Sequence, residues 1–247
     1  MALKSLQRLT TKGFLFVNYR TWLDGRIKLY NGDCLEFMEN MQEQVDLVLT
    51  DPPYLYNDYS AGNDGFDEKE KNIKFIKTIS NNFDIQATFL KFNKISKFFN
   101  LYCFCSVKQL PEILNWGFEN KLQTNLLTWK KGGRPFGITY LHDVEYIIHI
   151  KKSGATFNGA YTSRVLEYTS KRIHGHPTEK PLSLVSKLAL FGTNENDLIF
   201  DGFSGSGTTA ISCIKTNRRF IGCELDKEYF NLACNRIDIE LKQGNLF

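Results

Sequence analysis

The chain has 247 residues, 42% of them hydrophobic and 23% charged, which is typical of one large globular domain or of a domain with an insertion. No apolar run approaches the ~20 residues that a membrane helix needs, and the apolar block Phe14–Val17 is too short for a signal peptide. The six cysteines form no Cys-x-x-Cys pair, so we expect reduced core thiols in a cytosolic protein, with neither disulfides nor zinc ligands.

The net charge of +4 is concentrated in one segment. Residues 121–180 hold ten basic and four acidic side chains, a net charge of +6, whereas the remainder of the chain is slightly acidic. A local excess of positive charge is typical of a surface that binds a polyanion such as a nucleic acid. The alternative is an ordinary solvated basic surface, and charge alone does not separate the two.

The predicted elements begin after residues 1–26, an N-terminal extension without clear periodicity. Residues 27–30 predict a strand and residues 34–41 a helix. The apolar run 45–50 predicts a second, buried strand, which the sequence Asp51-Pro52-Pro53-Tyr54 must end.

The Pro-Pro turn is a candidate binding site for a planar amine. Each proline fixes φ at about −65° and donates no ladder hydrogen bond, so the turn is rigid and leaves main-chain carbonyls without ladder partners. Asp51 and one carbonyl can accept the two hydrogens of the amine, while Tyr54 stacks on the attached ring. The alternative is an ordinary turn at a strand end, and the tetrapeptide alone does not decide between them.

The middle of the chain contains a long polar loop followed by alternating helices and strands. Residues 55–83 are too long for a structural connector, which predicts either a functional lid or a partly disordered segment. The elements predicted next are a helix at 84–98, a strand at 101–105, a helix at 109–116 that Gly117 caps, and strands at 122–129 and 144–150. We expect the last two strands to form an antiparallel hairpin joined by residues 130–142, and residues 151–177 to be loop or small irregular structure.

The C-terminal part alternates regularly between the two element types. The predicted elements are a helix at 180–191, a strand at 198–200, a helix at 208–215, a strand at 220–223 and a helix at 227–241. Strands that alternate with helices indicate an α/β fold with a doubly wound, mostly parallel sheet.

A glycine loop, Gly205-Ser206-Gly207-Thr208-Thr209, joins the strand at 198–200 to the next helix. It lacks the lysine of a P-loop and the third glycine of the NAD fingerprint. Its backbone N–H groups and the helix N-terminus favour an anionic group such as a carboxylate. Glu224, after the next strand, is placed to accept two ribose hydroxyls, and Asp33 an adenine amino group. Ribose, adenine and carboxylate together describe S-adenosylmethionine. Taken singly, each acid has the alternative explanation of a helix N-cap.

These motifs resemble those of the amino DNA methyltransferases, which methylate N6 of adenine or N4 of cytosine. Asp51-Pro52-Pro53-Tyr54 is similar to motif IV, residues 201–209 to the cofactor motif I, His176-Pro177-Thr178-Glu179-Lys180-Pro181 to motif X, and Glu224 to the acid of motif II. Catalytic motif before cofactor motif is the circularly permuted order of the β-class. Gly202 stands where the family usually has proline, which we expect to loosen that turn.

The resemblance implies a seven-stranded Rossmann-like methyltransferase sheet. Residues 27–131 and 176–247 would form the catalytic and cofactor-binding domain, and residues 132–175 a short target-recognition region that includes the edge hairpin. Residues 1–26 have no counterpart in the family that suggests a role.

The resemblance also implies the site residues. The flipped base is assigned to Asp51, Pro52, Pro53 and Tyr54. S-adenosylmethionine, which leaves as S-adenosylhomocysteine, is assigned to Asp33, Cys34, Asp51, Thr178, Lys180, Asp201, Phe203, Ser204, Gly205, Ser206, Gly207, Thr208, Thr209, Glu224 and Leu225, with Thr178 and Lys180 near its methionine end. No cysteine follows a proline, so the chain lacks the nucleophile of a C5-cytosine enzyme.

The basic segment supplies the candidate DNA contacts, which are Lys130, Lys131, Arg134, Arg164, Lys171 and Arg172. Arg134 and Arg164 are also candidates for reading base edges. His174 and His176 have no apparent third ligand, so we expect no metal. Double-stranded DNA is the implied partner, in a bacterial or phage-type cytosol and associated with the nucleoid. A homodimer, a cognate restriction endonuclease and the recognition sequence stay open.

The leading hypothesis is site-specific, in-line methylation of adenine N6 in DNA, because an aspartate before the prolines favours adenine by family tendency. N4-cytosine methylation is the nearest alternative. Methylation of RNA adenine or of a protein glutamine amide is disfavoured by motif order. A catalytically inactive DNA-binding module is disfavoured by the intact Asp51 and Glu224.

Overall fold

The computed structural model describes residues 9–11, 14–16, 18–54, 83–132, 140–169 and 179–244, so the predicted loop at 55–83 lies almost wholly outside the described residues. The strands are β1 (Leu9–Thr11), β2 (Phe14–Phe16), β3 (Tyr19–Trp22), β4 (Ile27–Asn31), β5 (Leu47–Thr50), β6 (Asn100–Cys105), β7 (Gln123–Gly132), β8 (Val144–Lys151), β9 (Val165–Thr169), β10 (Leu198–Asp201) and β11 (Arg219–Glu224). The helices are α1 (Cys34–Asn40), α2 (Ile85–Ile95), α3 (Leu110–Glu119), α4 (Leu182–Gly192), α5 (Thr208–Lys215) and α6 (Lys227–Gly244), with a short 3-10 turn at Leu23–Gly25.

The described strands other than β1 and β2 form one nine-stranded sheet in the order β3-β4-β11-β10-β5-β6-β8-β7-β9. The five central strands from β4 to β6 are mutually parallel. β3 pairs antiparallel with β4, and β8 pairs antiparallel with both β6 and β7. This confirms the predicted mostly parallel α/β sheet with an antiparallel pair.

Helices cover both faces of the sheet, as the doubly wound prediction requires. Alternate residues of β5 show the two layers, since successive side chains of a strand point to opposite faces. Leu47 and Leu49 belong to the apolar cluster that includes α4, α5 and α6. Val48 belongs to the cluster that includes α1, α2 and α3. Within the described part of the chain, no helix is both long and apolar enough to cross a membrane.

The predicted number of seven strands is wrong, because one extra strand joins each edge of the sheet. Tyr19–Trp22, part of the N-terminal extension, pairs antiparallel with β4. Val165–Thr169, predicted as loop, pairs parallel with β7, and the hairpin of β7 and β8 is therefore not at the edge. Only Leu166 of this strand is buried, so its sequence carries little of the apolar alternation by which strands are recognised.

The predicted end of α3 at Gly117 is also wrong, because the helix continues to Glu119. A Cβ at position 117 would overlap the side chain of Thr124 on β7. The glycine therefore allows close packing of α3 against β7 and does not serve as a helix cap.

We predict that the effect of Gly117→Ala on stability depends on the residue at 124. In the native chain the added methyl should lower the free energy of unfolding by about 1–3 kcal/mol through overpacking. In a Thr124→Ala background it should be neutral or stabilising by up to about 1 kcal/mol, since alanine is favoured over glycine inside a helix. Chemical denaturation of the four proteins measures this difference. An equal cost in both backgrounds would contradict the packing explanation.

Candidate active site

The Pro-Pro turn and the glycine loop lie at the same edge of the sheet. β5 and β10 are parallel neighbours, with Leu47 opposite Ile199 and Val48 opposite Phe200. The segments that follow parallel strands emerge at their carboxyl ends, where open α/β sheets bind ligands. The two motifs, separated by about 150 positions in the sequence, are therefore brought together by strand pairing.

Asp201 joins the two motifs directly. Its Oδ1 accepts a hydrogen bond from Oγ1 of Thr50 at 2.8 Å, and its Oδ2 accepts one from Oγ1 of Thr209 at 2.6 Å. The backbone N–H of Phe203 also donates to Oδ1, at 3.1 Å. Burial raises the pKa of Asp201 to about 6, although these three hydrogen bonds oppose the shift. Both oxygens are thus engaged in holding the glycine loop against the end of β5.

Asp51 is held by the protein through one of its two carboxylate oxygens. Nζ of Lys180 donates to Oδ2 of Asp51 at 2.5 Å. Oδ1 of Asp51 is buried and accepts no hydrogen bond from any described residue. Burial and, to a smaller extent, the Glu145 carboxylate raise the pKa of Asp51, whereas Lys180 and the nearby Tyr54 hydroxyl oppose the shift. A buried acceptor without a donor is costly, so Oδ1 is placed to receive a donor from a ligand.

Gln109 determines which carbonyl of the turn is engaged by the protein. Its Nε2 donates to the carbonyl of Pro53 at 3.1 Å, and its Oε1 accepts from the N–H and the Oγ of Ser106 at 3.0 and 2.9 Å. Gln109 is fully buried. The carbonyl of Pro52 is consequently the candidate acceptor beside Asp51.

Glu145 on β8 connects the remaining side chains of the turn. Its Oε2 accepts a hydrogen bond from the hydroxyl of Tyr54 at 3.1 Å and lies 3.4 Å from Nζ of Lys180. Its Oε1 lies 2.6 Å from Nζ of Lys131. Despite burial, the two lysines and the Tyr54 hydroxyl lower the pKa of Glu145. Tyr54 and Asp51 are therefore parts of one polar network.

The glycine loop has the backbone conformation of a ligand cradle. Gly205 has φ of +51° and Gly207 φ of +79°, a region that favours glycine over residues with a Cβ. Glu224, at the end of β11, accepts the N–H of Gly205 through Oε2 at 2.7 Å and the N–H of Asp226 through Oε1 at 2.9 Å. Burial raises the pKa of Glu224 to about 7. A carboxylate oxygen has two lone pairs, so these bonds leave acceptor capacity for ribose hydroxyls.

Arg236 on α6 holds the glycine loop through hydrogen bonds to Ser206 and Thr208. It is buried, and its Nη1 donates to the carbonyl and Oγ of Ser206 and to Oγ1 of Thr208, at 3.0 to 3.2 Å. Its Nη2 forms an ion pair with Glu179 at 3.1 Å. Glu179 directly precedes Lys180, so one guanidinium holds both the cofactor loop and the segment that pairs with Asp51.

Asp33 lies next to this loop in the role of a helix cap. Its Oδ1 accepts the N–H groups of Leu35 and Glu36 at 2.7 and 3.0 Å. The N–H of Gly32 donates to the carbonyl of Glu224 at 3.0 Å, which places the ends of β4 and β11 side by side. The cap explains Oδ1 alone and does not decide the predicted contact with adenine.

Three further predicted cofactor residues surround the loop. Phe203 packs edge-to-face with Phe83, with ring centroids 5.4 Å apart. Leu225 is 47% exposed. Cys34 is buried, and a Cβ at Gly202 would lie only 3.2 Å from the Cβ of Cys34. The family usually has proline at the position of Gly202. Here the backbone of Gly202 lies close to the side chain of Cys34.

The predicted DNA contacts are divided between paired, exposed and undescribed positions. Lys130 forms an exposed ion pair with Glu167 at 3.1 Å, and Lys131 pairs with Glu145. Arg164 is exposed. Outside the described residues lie Arg134, Lys171, Arg172 and Thr178, as do His174 and His176. Among the described residues, no group of His, Cys, Asp and Glu is arranged to hold a metal ion.

Sequence reasoning missed Glu145, Gln109 and Arg236. Glu145 had one visible signal, because it is an acid at the start of an apolar strand inside the most basic segment of the chain. Gln109 and Arg236 had none, since Gln109 reaches the turn at Pro53 and Arg236 the glycine loop at Ser206, each more than 25 positions away in sequence.

Comparisons with known proteins show that the chain is similar to DNA methyltransferases. A family model described as DNA methylase matches residues 45–235. The chain is 28% identical to the Type II methyltransferase M2.MboI of Moraxella bovis, over 86% of this chain and 88% of that protein. A shorter match, 35% identical over 30% of this chain and 25% of the relative, is to the DNA adenine methyltransferase YhdJ of Escherichia coli. The solved M1.HpyAVI–SAM complex is 28% identical with a TM-score of 0.67, covering 85% of this chain and 99% of that one.

We predict that cofactor affinity weakens as pH falls through about 7. We expect the ionised carboxylate of Glu224, and not the protonated acid, to accept hydrogen bonds from two ribose hydroxyls, and burial raises its pKa to about 7 from an ordinary 4.5. Between pH 8 and pH 6 its ionised fraction falls about tenfold, so the Kd of S-adenosylhomocysteine should rise by the same order. Calorimetric titration at the two pH values measures this. Glu224→Gln is the control and should bind weakly with little pH dependence. An equally steep pH dependence in that variant would assign the titration to another group.

Proposed function

The chain belongs to the DNA methylase family that carries N6- and N4-amino methyltransferases, and we propose that it methylates the N6 amino group of adenine in DNA. The observation that carries the proposal is the buried, unengaged Oδ1 of Asp51 beside the Pro-Pro turn and Tyr54. An oxygen in this position is suited to a donor that enters from outside the chain, such as an exocyclic amine.

Hydrogen bonding explains how the turn would activate an amine. The exocyclic nitrogen of a nucleobase is a weak nucleophile because its lone pair is delocalised into the ring. Oδ1 of Asp51 and the carbonyl of Pro52 would each accept one N–H, which shifts the nitrogen toward a tetrahedral geometry and frees the lone pair. Fixed acceptors of this kind act through position and electrostatics, and no protein nucleophile is required.

S-adenosylmethionine supplies the methyl group, which its sulfonium centre makes electrophilic. The described residues fit this cofactor at three points. Glu224, at the end of β11, would accept hydrogen bonds from the ribose, and Asp33 provides a second acid beside it. The backbone N–H groups of the Gly205–Thr209 loop would donate to the carboxylate of the cofactor. Arg236 and Asp201 hold the loop in place, so their contribution to cofactor binding is indirect.

A base must leave the double helix to reach the turn, which costs a few kcal/mol. The ring of Tyr54 would recover part of this cost by stacking. Lys130, Lys131 and Arg164 remain our candidates for phosphate contacts, and Lys130 would exchange its exposed partner Glu167 for a phosphate on binding. Double-stranded DNA is therefore the proposed partner. A cognate restriction endonuclease is proposed by analogy with the Type II relative, and a homodimer by analogy with the β-class.

Adenine is preferred over cytosine for two reasons. The residue before Pro-Pro is Asp51, which in this family is associated with adenine. The relative YhdJ, which is named an adenine methyltransferase, matches 30% of the chain. Methylation of cytosine N4 would use the same two acceptors, so the product must be identified chemically.

We predict that the purified protein transfers labelled methyl groups from S-adenosylmethionine to unmethylated genomic DNA and that digestion yields N6-methyladenine. If the product is N4-methylcytosine, the target base is cytosine and the adenine assignment is wrong. Label in RNA or protein, with none in DNA, would contradict it.

Asp51→Ala should reduce transfer by about 100- to 1,000-fold, because it removes the acceptor that orients the amine. The affinity for S-adenosylhomocysteine should be nearly unchanged. Loss of cofactor binding together with activity would show that Asp51 is wrongly assigned to the base.

A further inference from the structure

Glu145 contributes a carboxylate to the base-binding turn from a distant strand. It is the second residue of β8, and its Oε2 accepts the Tyr54 hydroxyl at 3.1 Å. The same carboxylate lies 3.4 Å from Nζ of Lys180 and 2.6 Å from Nζ of Lys131. Its side chain is 20% exposed, so solvent screens these contacts only partly. The contacts are thus with the machinery of the turn and not with the surface alone.

Charges alternate along this network in the order Asp51, Lys180, Glu145, Lys131. Lys180 is buried and shared between two carboxylates, at 2.5 Å from Asp51 and 3.4 Å from Glu145. Burial alone would lower the pKa of Lys180, but the two carboxylates raise it, so the ammonium stays charged. Since Lys180 occupies Oδ2 of Asp51, the placement of Oδ1 depends on where Lys180 is held.

Tyr54 is restrained at its hydroxyl and against one face of its ring. The hydroxyl donates to Glu145, and Nζ of Lys180 lies 5.3 Å from the ring centroid. Cations at this distance attract an aromatic face. Glu145 accepts the hydrogen bond of the hydroxyl and forms an ion pair with Lys180, so it takes part in both restraints.

We propose that Glu145 is a positioning residue for the target base, which fixes the Tyr54 ring and, through Lys180, directs Oδ1 of Asp51 at the amine. The inference rests on the proposed function, because it requires a nucleobase amine at this turn. Glu145 touches neither base nor cofactor in this arrangement. Its effect is therefore expected on base placement and on the transfer step, and not on cofactor binding.

The competing explanation is that Glu145 only stabilises the fold, as many partly buried ion pairs do. A structural role would lower thermal stability and reduce cofactor binding and activity together. Glu240 provides a matched control, since its side chain is also 20% exposed and pairs with Lys215 at 2.5 Å between two helices. Glu240→Gln removes a comparable charge and should leave base placement unchanged.

The test compares Glu145→Gln, Tyr54→Phe, the double variant and Glu240→Gln. The probe is a duplex with the sequence that the wild-type protein methylates, mapped on genomic DNA, with 2-aminopurine in place of the target adenine. Glu145→Gln should lower the single-turnover rate of methyl transfer on the unmodified duplex by about 10- to 100-fold, because a displacement near 1 Å has effects of this size. It should also reduce the 2-aminopurine fluorescence gained on binding, while the Kd of S-adenosylhomocysteine stays at the wild-type value.

Tyr54→Phe breaks the same hydrogen bond without changing a charge, so it tests the proposal even if Glu145→Gln does not fold. The two losses should combine to less than their product, as expected for residues that act together. Three results would overturn the positioning role. The rate losses of Glu145→Gln and Tyr54→Phe could multiply fully in the double variant, or Glu145→Gln could lose no more rate than Glu240→Gln. Cofactor binding could also be lost in parallel with the rate. The identity of the methylated base is tested separately, by chemical analysis of the wild-type product, so the result does not depend on the variants.

Discussion

The hydrogen bonds of one buried carboxylate hold the two halves of the site together. Asp201 accepts from Thr50 at the end of β5 and from Thr209 at the start of α5, so the Pro-Pro turn and the glycine loop are fixed relative to each other. Parallel pairing of β5 and β10 sets the approximate position, and these two bonds set the remaining distance. A transfer between two ligands depends on such a fixed separation, because the reacting atoms must be aligned within a fraction of an ångström.

Around this joint, the site is built from buried charges that satisfy one another. Arg236 holds the glycine loop and pairs with Glu179. Lys180, the residue after Glu179, pairs with Asp51 and also with Glu145, which in turn accepts a hydrogen bond from Tyr54. Removing a partner from a buried ion pair is costly, so each member restrains the position of the next. The geometry of these side chains is therefore maintained by contacts within the chain. The exception is Oδ1 of Asp51, a buried acceptor that the described chain leaves unengaged.

Local pattern predicted the parts of the molecule that depend on neighbours in sequence. The buried strand before Asp51, the glycine loop and the helix over Thr208–Lys215 have apolar runs or glycines that mark them directly. The strand Val165–Thr169 escaped prediction because its only buried side chain is Leu166 and its pairing partner lies on β7. Gly117 was misjudged since the need for glycine comes from Thr124 across the interface. Glu145, Gln109 and Arg236 belong to the same class, because their partners are distant in sequence.

The most direct test of the account is a structure of the protein with S-adenosylhomocysteine and a duplex that contains its target base. The account predicts an extruded base with its amino nitrogen hydrogen-bonded to Oδ1 of Asp51 and within about 5 Å of the cofactor sulfur, the span of a methyl group and a near-attack distance. The Thr50–Asp201–Thr209 bonds should persist. A sulfur atom bound at another edge of the sheet, or an amine out of reach of Asp51, would contradict it.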